Sequence, residues 1–170
     1  MQRINVMVRP ASVADLPALV ELRLANAQAH IALDPGVYRV PRHDAVVHHF
    51  TTVLTDQADH AGQLGGDVVL VAEHAGQVVG MVEVLRLPDP PAHQIVRPVP
   101  SAQIHTVVLD TARGLGVGTA LLDAAHRWAA EQGVTSISAG IHHRNDGAVR
   151  FYRRHGYAPA GTLLKRSVVG

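Results

Sequence analysis

Between Val108 and Leu122 the chain reads V-L-D-T-A-R-G-L-G-V-G-T-A-L-L. It is an apolar strand end, a turn with glycines at positions 114, 116 and 118, and the first turn of an amphipathic helix. No other stretch constrains the fold as strongly, because it fixes a strand that passes into a helix through a backbone most side chains could not follow. Without Cβ atoms in the way, the amides of such a turn converge on one point, and the first-turn N–H groups of the helix add to them. The positive end of the helix dipole lies there too, so the natural occupant is an anion, a phosphate or pyrophosphate.

Two common phosphate motifs fail on residues. A Walker loop needs Lys after its last glycine, and none follows here. A dinucleotide fingerprint started at Gly114 puts its third small residue at Thr119, and started at Gly116 puts it at Leu121. Composition narrows the classes further. A net charge of +1 gives no general pull toward nucleic acid or an anionic membrane, so neither is expected as a partner. The absence of cysteine removes disulfides, thiol nucleophiles and Cys-based zinc sites. The N-terminus has no signal-peptide pattern and no apolar run is long enough to span a bilayer, so a cytoplasmic protein is expected.

Period and punctuation give the remaining elements. Residues 4–8 read as a first strand. Ser12 or Asp15 caps a helix to about His30, with Leu16, Leu19, Val20 and Leu24 as its buried stripe, and Pro17 favours Asp15 as the cap. A loop with Pro35, Gly36 and Pro41 leads to a second helix over about 43–60. Strands 67–73 and 77–87 flank a hairpin turn at 74–76. Residues 88–100, dense in proline, form an irregular segment before a strand at 102–109. A helix over 116–132 buries Val117, Leu121, Ala124 and Trp128, with Asp123 and Arg127 spaced as an ion pair. A strand at 134–141, a short helix capped by Asn145 or Asp146, and a final strand pair within 156–169 complete one domain, 1–170.

Arg113-Gly114-Leu115-Gly116-Val117-Gly118 fits the pattern Gln/Arg-x-x-Gly-x-Gly/Ala. After the next strand come Asn145, Ala148, Phe151, Tyr152, Gly156 and Tyr157, in the spacing Asn-x-x-Ala-x-x-Phe-Tyr-x-x-x-Gly-Phe/Tyr. Together, at this separation and in these strand and helix settings, the two segments resemble the GNAT acyltransferases, specifically over residues 104–160. The resemblance implies an α/β (α+β) fold: a mixed, largely antiparallel sheet with helices on both faces. It implies acetyl-CoA as cofactor, its pyrophosphate on the Arg113–Thr119 loop through the amides of Gly114, Gly116, Gly118 and Thr119, with Val117 in the same turn. Backbone groups of Val107, Val108 and Leu109 would line the pantetheine arm. Asn145 would contact that arm or cap its helix, and Tyr152 would protonate the leaving thiolate or serve only in packing.

Acetyl transfer to an amine needs the neutral amine, hence a base or a water chain. Two residues qualify. Glu83 lies on the strand before the proline-rich segment and competes with a reading as a solvated strand residue. His105, on the strand leading into the glycine loop, carries the side-chain type most often used as a general base and competes with a reading as a core histidine with a satisfied hydrogen bond. Twelve histidines invite a metal, yet His142 and His143 on a strand end would point to opposite faces and His48 and His49 diverge on a helix; no metal is expected. The run Arg150, Arg153, Arg154 and His155 reads as a solvated helix face. The acceptor, a small-molecule or peptide amine, is expected against residues 25–42 (His30, Asp34, Tyr38, Arg39), the proline-rich segment and the last strand pair. A homodimer is compatible with the sequence without following from it. The rival from another class is a non-catalytic acyl-CoA-binding module.

Overall fold

The computed structural model describes residues 5–63 and 65–168. Ile4, at the start of the expected first strand, and Val169, at the end of the expected last one, lie outside them. The chain divides into two compact units at Gly140/Ile141. The first contains β1 (Val6–Pro10), α1 (Leu16–Leu33), α2 (His43–Asp59), β2 (Val68–His74), β3 (Gln77–Arg86), β4 (Ser101–Val108), α3 (Val117–Glu131) and β5 (Ser136–Ser138). Its sheet follows chain order, β1-β2-β3-β4-β5; the first three pairings are antiparallel and β4–β5 is parallel. The mixed, mainly antiparallel sheet is therefore as expected.

Strand alternation distributes the helices over both faces. On one face Val69, Val71, Met81 and Val107 form a core with Leu19 and Leu22 of α1 and Val46, Phe50 and Leu54 of α2. Neighbouring residues point the other way, and there Gly80 lies beneath Val117 and Leu121 of α3. Asp15 is the N-cap of α1, with Pro17 in its first turn; its carboxylate accepts from the Ser12 amide at 2.8 Å and from the Arg9 guanidinium at 2.8 and 2.9 Å. Gln57 of α2 substitutes for a strand partner: its side chain donates to the Ala11 carbonyl at 3.0 Å and accepts from the Val69 amide at 2.7 Å. The β2–β3 turn has positive φ at both central residues, Ala75 (50°) and Gly76 (77°), the handedness that matches strand twist.

Three expectations change in this unit. The buried line of α3 is Val117, Leu121, Leu122, Ala125 and Ala129. Small alanines occupy the line of closest approach to the sheet, and Ala124 and the bulky Trp128 sit half-buried at its flank. Asp123 and Arg127 form no ion pair; sequence spacing permits such a contact, but solvated side chains gain little from making it. The strand expected at 134–141 shrinks to Ser136–Ser138, because its only ladder is the short parallel register from Ser101↔Ser136 to Gln103↔Ser138.

The second unit holds α4 (Asp146–Arg154), followed by residues 157–168 with no strand. The expected final strand pair is absent among the described residues. Pro159 supplies no N–H, and in a strand the adjacent Leu163 and Leu164 would point to opposite faces, so one buried face could take only one of them; both are exposed. Among the described residues no helix is long and apolar enough to cross a membrane.

Candidate active site

β4 leads through a 3-10 turn, Asp110–Ala112, into the glycine loop. The entry is pinned by the Leu109 amide on the Val79 carbonyl and the Ala112 amide on the Leu109 carbonyl, each at 2.9 Å. Gly114 (φ 75°) and Gly116 (φ 80°) occupy the left-handed region, and a Cβ built at either would enter open space. That open space is bounded by the start of α3, whose first N–H to bond within the helix is that of Ala120, to Gly116 O at 3.0 Å. The amides of Val117 and Gly118 lie before it at the N-terminal end of the helix, where an α-helix leaves its first donors without a partner of its own. Backbone donors, room for a group where side chains would stand, and a helix dipole together fit a pyrophosphate. The Val117 side chain is buried against the sheet at 1% exposure, which leaves only its backbone on the loop side. Arg113 makes an exposed ion pair with Asp110 at 2.9 Å.

β4 also frames the space beside this loop. Val108 pairs with Gly80 and Val107 with Met81 of β3. On its other edge, pairing with β5 stops at Gln103, well before β4 itself ends at Val108. Among the described residues no strand covers that edge from Ile104 on, which places the backbone of Val107, Val108 and Leu109 beside the loop.

On the α1–α2 face of the same strands lies a cavity of about 390 Å³ whose wall includes Arg23, Pro41, His49, Glu83 and His105. Glu83 and His105 stand opposite each other in the β3–β4 register. The solvated reading of Glu83 is wrong: the residue is 3% exposed. One carboxylate oxygen accepts from the Arg23 guanidinium, and the other meets His49 Nε2 at 3.2 Å. Burial pushes this carboxyl up, but the His49 hydrogen bond and the Arg23 charge outweigh it and hold the group below its ordinary value. His105 is not a satisfied core histidine either. It is half-buried at the cavity wall, without a side-chain hydrogen bond among the described residues.

Sequence reasoning passed over Arg23 and weighed His49 only as a metal ligand. The signal was present: each is a polar residue on an apolar helical stripe, Arg23 one turn after Leu19 and His49 beside Val46 and Phe50, and a cation there needs a buried anion. The expected acceptor residues do not line this cavity. His30 stacks edge-on with Tyr38 at 4.9 Å, Asp34 accepts from the Gly36 amide at 3.1 Å, Arg39 is exposed, and of residues 25–42 only Pro41 reaches the wall. The proline-rich segment contributes no lining residue.

In the second unit Asn145 caps α4, its side chain accepting from the Ala148 amide at 3.1 Å. Tyr152 is 7% exposed, its ring edge-on to Phe151 at 5.2 Å and to Tyr157 at 5.1 Å. Burial, with the neighbouring Tyr152, pushes the Tyr157 phenol up to about 12. His142 and His143 do not diverge from a strand. They lie in a turn, with ring centroids 4.4 Å apart. Arg150, Arg153 and Arg154 are exposed.

The model of the acetyltransferase (GNAT) family matches residues 35–157, a span that includes the glycine loop, both strands of the cavity wall and α4. No curated protein sequence matches the chain significantly. Solved structures share the fold at low identity. A transcriptional regulator from Bacillus halodurans C-125 is similar at 24% identity and a TM-score of 0.71, over 96% of this chain and 100% of that one. An aminoglycoside N-acetyltransferase in complex with CoA is similar at 19% identity and 0.69, over 98% and 97%. A predicted acetyltransferase with acetyl-CoA from Clostridium acetobutylicum is similar at 18% identity and 0.67, over 96% of each chain. With the family model spanning most of its length, and the glycine loop and the Asn145–Tyr157 segment inside that span, the chain belongs to the GNAT acetyltransferase family.

Proposed function

We propose that this acetyltransferase moves the acetyl group of acetyl-CoA to the primary amine of a small molecule or peptide, directly, in a ternary complex, with residues 1–170 acting as one enzyme. The observation that carries the reading is the glycine loop: two left-handed glycines that open a backbone cradle onto the start of α3. The family span crosses the boundary at Gly140, which supports treating both units as parts of one catalytic domain. Bound there, acetyl-CoA would supply an activated thioester carbonyl. The amides of Gly114, Gly116, Val117, Gly118 and Thr119 hold the pyrophosphate, Arg113 flanks it, and the backbone of Val107, Val108 and Leu109 aligns the pantetheine arm. A β4 amide that polarises the carbonyl is worth roughly 10²–10³-fold in rate. The amine loses its proton at the cavity wall that carries Glu83 and His105. Tyr152 gives a proton to the departing sulfur, and Asn145 holds the start of α4 in place through its cap. The lack of a cysteine to carry the acetyl group, and of a marked serine nucleophile, supports direct transfer.

Similar structures include an aminoglycoside acetyltransferase, but a polycationic acceptor needs exposed carboxylates, and the carboxylate of this cavity is already committed to Arg23 and His49. An amine of low charge is the better fit. Calorimetric titration with acetyl-CoA, with ATP and NAD as controls, tests the site: selective micromolar binding is expected, and a folded protein that binds none of them removes the reading. Gly116→Val puts a branched side chain at φ 80°, a strain of roughly 1–2 kcal/mol, directly in the cradle; acetyl-CoA affinity is expected to fall by about tenfold or more, read by the same titration. A similar fold in a transcriptional regulator favours one alternative, an acyl-CoA-binding module that regulates a partner. Tyr152→Phe separates the two. An enzyme loses about tenfold or more in kcat with unchanged acetyl-CoA affinity, and unaltered turnover with a verified acceptor eliminates the acid role.

A further inference from the structure

Three histidines in the last turn or at the C-cap of a helix share one bonding habit. Nδ1 of His30 meets the Asn26 carbonyl at 2.8 Å, that of His60 the Asp56 carbonyl at 2.8 Å, and that of His155 the Phe151 carbonyl at 2.9 Å. Each ring folds back on the preceding turn, where a histidine with only a local role belongs. His49 departs from the habit. Its Nε2 reaches across to β3 and meets Glu83 at 3.2 Å, and its Nδ1 has no hydrogen-bond partner among the described residues. The ring is about half exposed, at 47%, whereas the Glu83 side chain is only 3% exposed. It forms part of the wall of the cavity that also holds His105.

The tautomer follows from the partner. An ionised carboxylate only accepts, so the ring nitrogen that faces Glu83 carries the hydrogen, and the lone pair of the neutral ring is on Nδ1. Glu83 is in turn held by Arg23 through its other oxygen, so neither carboxylate oxygen is spare. The arrangement is a base oriented by a buried anion, which is itself fixed by a third group. His105, the other imidazole of the wall, has no such orienting partner.

We propose that His49 is the base that takes the proton from the acceptor amine, with Glu83 and Arg23 as its positioning residues. The inference rests on the acetyl-transfer reading and deepens it. His49 Nδ1 takes the proton of the attacking amine. The amine nitrogen forms its bond to the acetyl carbon in place of the sulfur, and Tyr152 supplies the proton that the departing thiolate needs. The charged and titratable groups that face the His49 ring are Arg23 from α1, Glu83 from β3 and, across the cavity, His105 from β4; the near part of its own helix, Ala45, Val46 and Phe50, adds none.

The test is a set of single variants in the full chain: His49→Asn, His49→Ala, Glu83→Gln and His105→Asn. Each is checked for folding by thermal melting and for acetyl-CoA binding by calorimetry before kinetics with any amine that the parent acetylates. His49→Asn is expected to bind acetyl-CoA as the parent does and to lose about 10²–10³-fold in kcat/KM. The fall in rate toward acid pH, where the imidazole is protonated, is expected to vanish with it. Added imidazole is expected to restore part of the turnover of His49→Ala. In Glu83→Gln kcat is expected to fall with acetyl-CoA affinity kept, because the ring loses the anion that orients it. Parent-like rates and an unchanged acid limb in His49→Asn overturn the assignment, as does loss of that limb in His105→Asn alone. Failure of the parent itself to bind acetyl-CoA overturns the acetyl-transfer reading, and the base with it.

Discussion

Glu83→Ala is expected to destabilise the protein by about 3 kcal/mol, measured by urea unfolding at neutral pH. Removing one partner of a buried pair leaves the other uncompensated, typically at about 3–5 kcal/mol. The low end applies because Arg23 remains 27% exposed and keeps some water. The change also leaves an empty volume between α1, α2 and β3, the three elements that Glu83 ties together through Arg23 and His49. Glu83→Gln retains the shape and separates charge from packing. The sign of the pH dependence follows from the lowered carboxyl value. A carboxylate held below its unfolded value of about 4.3 contributes its full stability above that pH and loses it as pH falls through the folded value. The stability difference between parent and Glu83→Gln is therefore expected to be constant from neutral pH down to about 5 and to shrink below it. A difference that persists undiminished in acid would mean that packing, not charge, carries the effect.

Gly80→Val is the second large expected effect, about 1–3 kcal/mol or more of destabilisation with a matching fall in acetyl-CoA affinity. Conformational freedom is not the reason, since Gly80 is not among the positive-φ residues. Space is: a Cβ there would lie 3.0 Å from the Val107 carbonyl oxygen, 3.0 Å from Leu121 Cδ1 and 3.1 Å from Val117 Cγ1. Leu121 can rotate, but a strand carbonyl cannot, so the sheet and α3 must separate. Val117 is the first residue of α3 and Val107 lies on β4, so the same displacement moves the amides of the glycine loop and the strand beside it. Gly80→Ala should show the smaller version of both effects in thermal melting and calorimetry. Parent-like acetyl-CoA affinity in a clearly destabilised Gly80→Val would show that the loop is positioned independently of this contact.

How much was legible in advance depended on how local the cause was. Helix and strand placement followed from period and punctuation: Asp15 and Pro17 at the start of α1, Gly133 after α3, Ala75-Gly76 between β2 and β3. The glycine loop was legible for the same reason, since the φ angles of Gly114 and Gly116 are set by residues within a few positions of them. The last strand pair was misread because alternation in a short segment is only permissive; a strand also needs a neighbour to complete its ladder.

The cavity was not legible, because its chemistry joins residues far apart in sequence. Glu83 was singled out as a candidate base against a reading as a solvated strand residue, but its ties to Arg23 and His49, across separations of 60 and 34 residues, were not foreseen. Neither its burial nor the nitrogen of His49 that carries the hydrogen exists until α1 and α2 close over the sheet. The same holds for Gly80, which reads as an ordinary strand glycine until α3 lies against it. The sequence by itself determined the helices, the first four strands, the backbone cradle and the family, because those rest on φ preferences, periodicity and short-range spacing. Tertiary packing alone decided the ionisation of Glu83 and the orientation of His49, because both depend on desolvation and on charges brought together from distant segments.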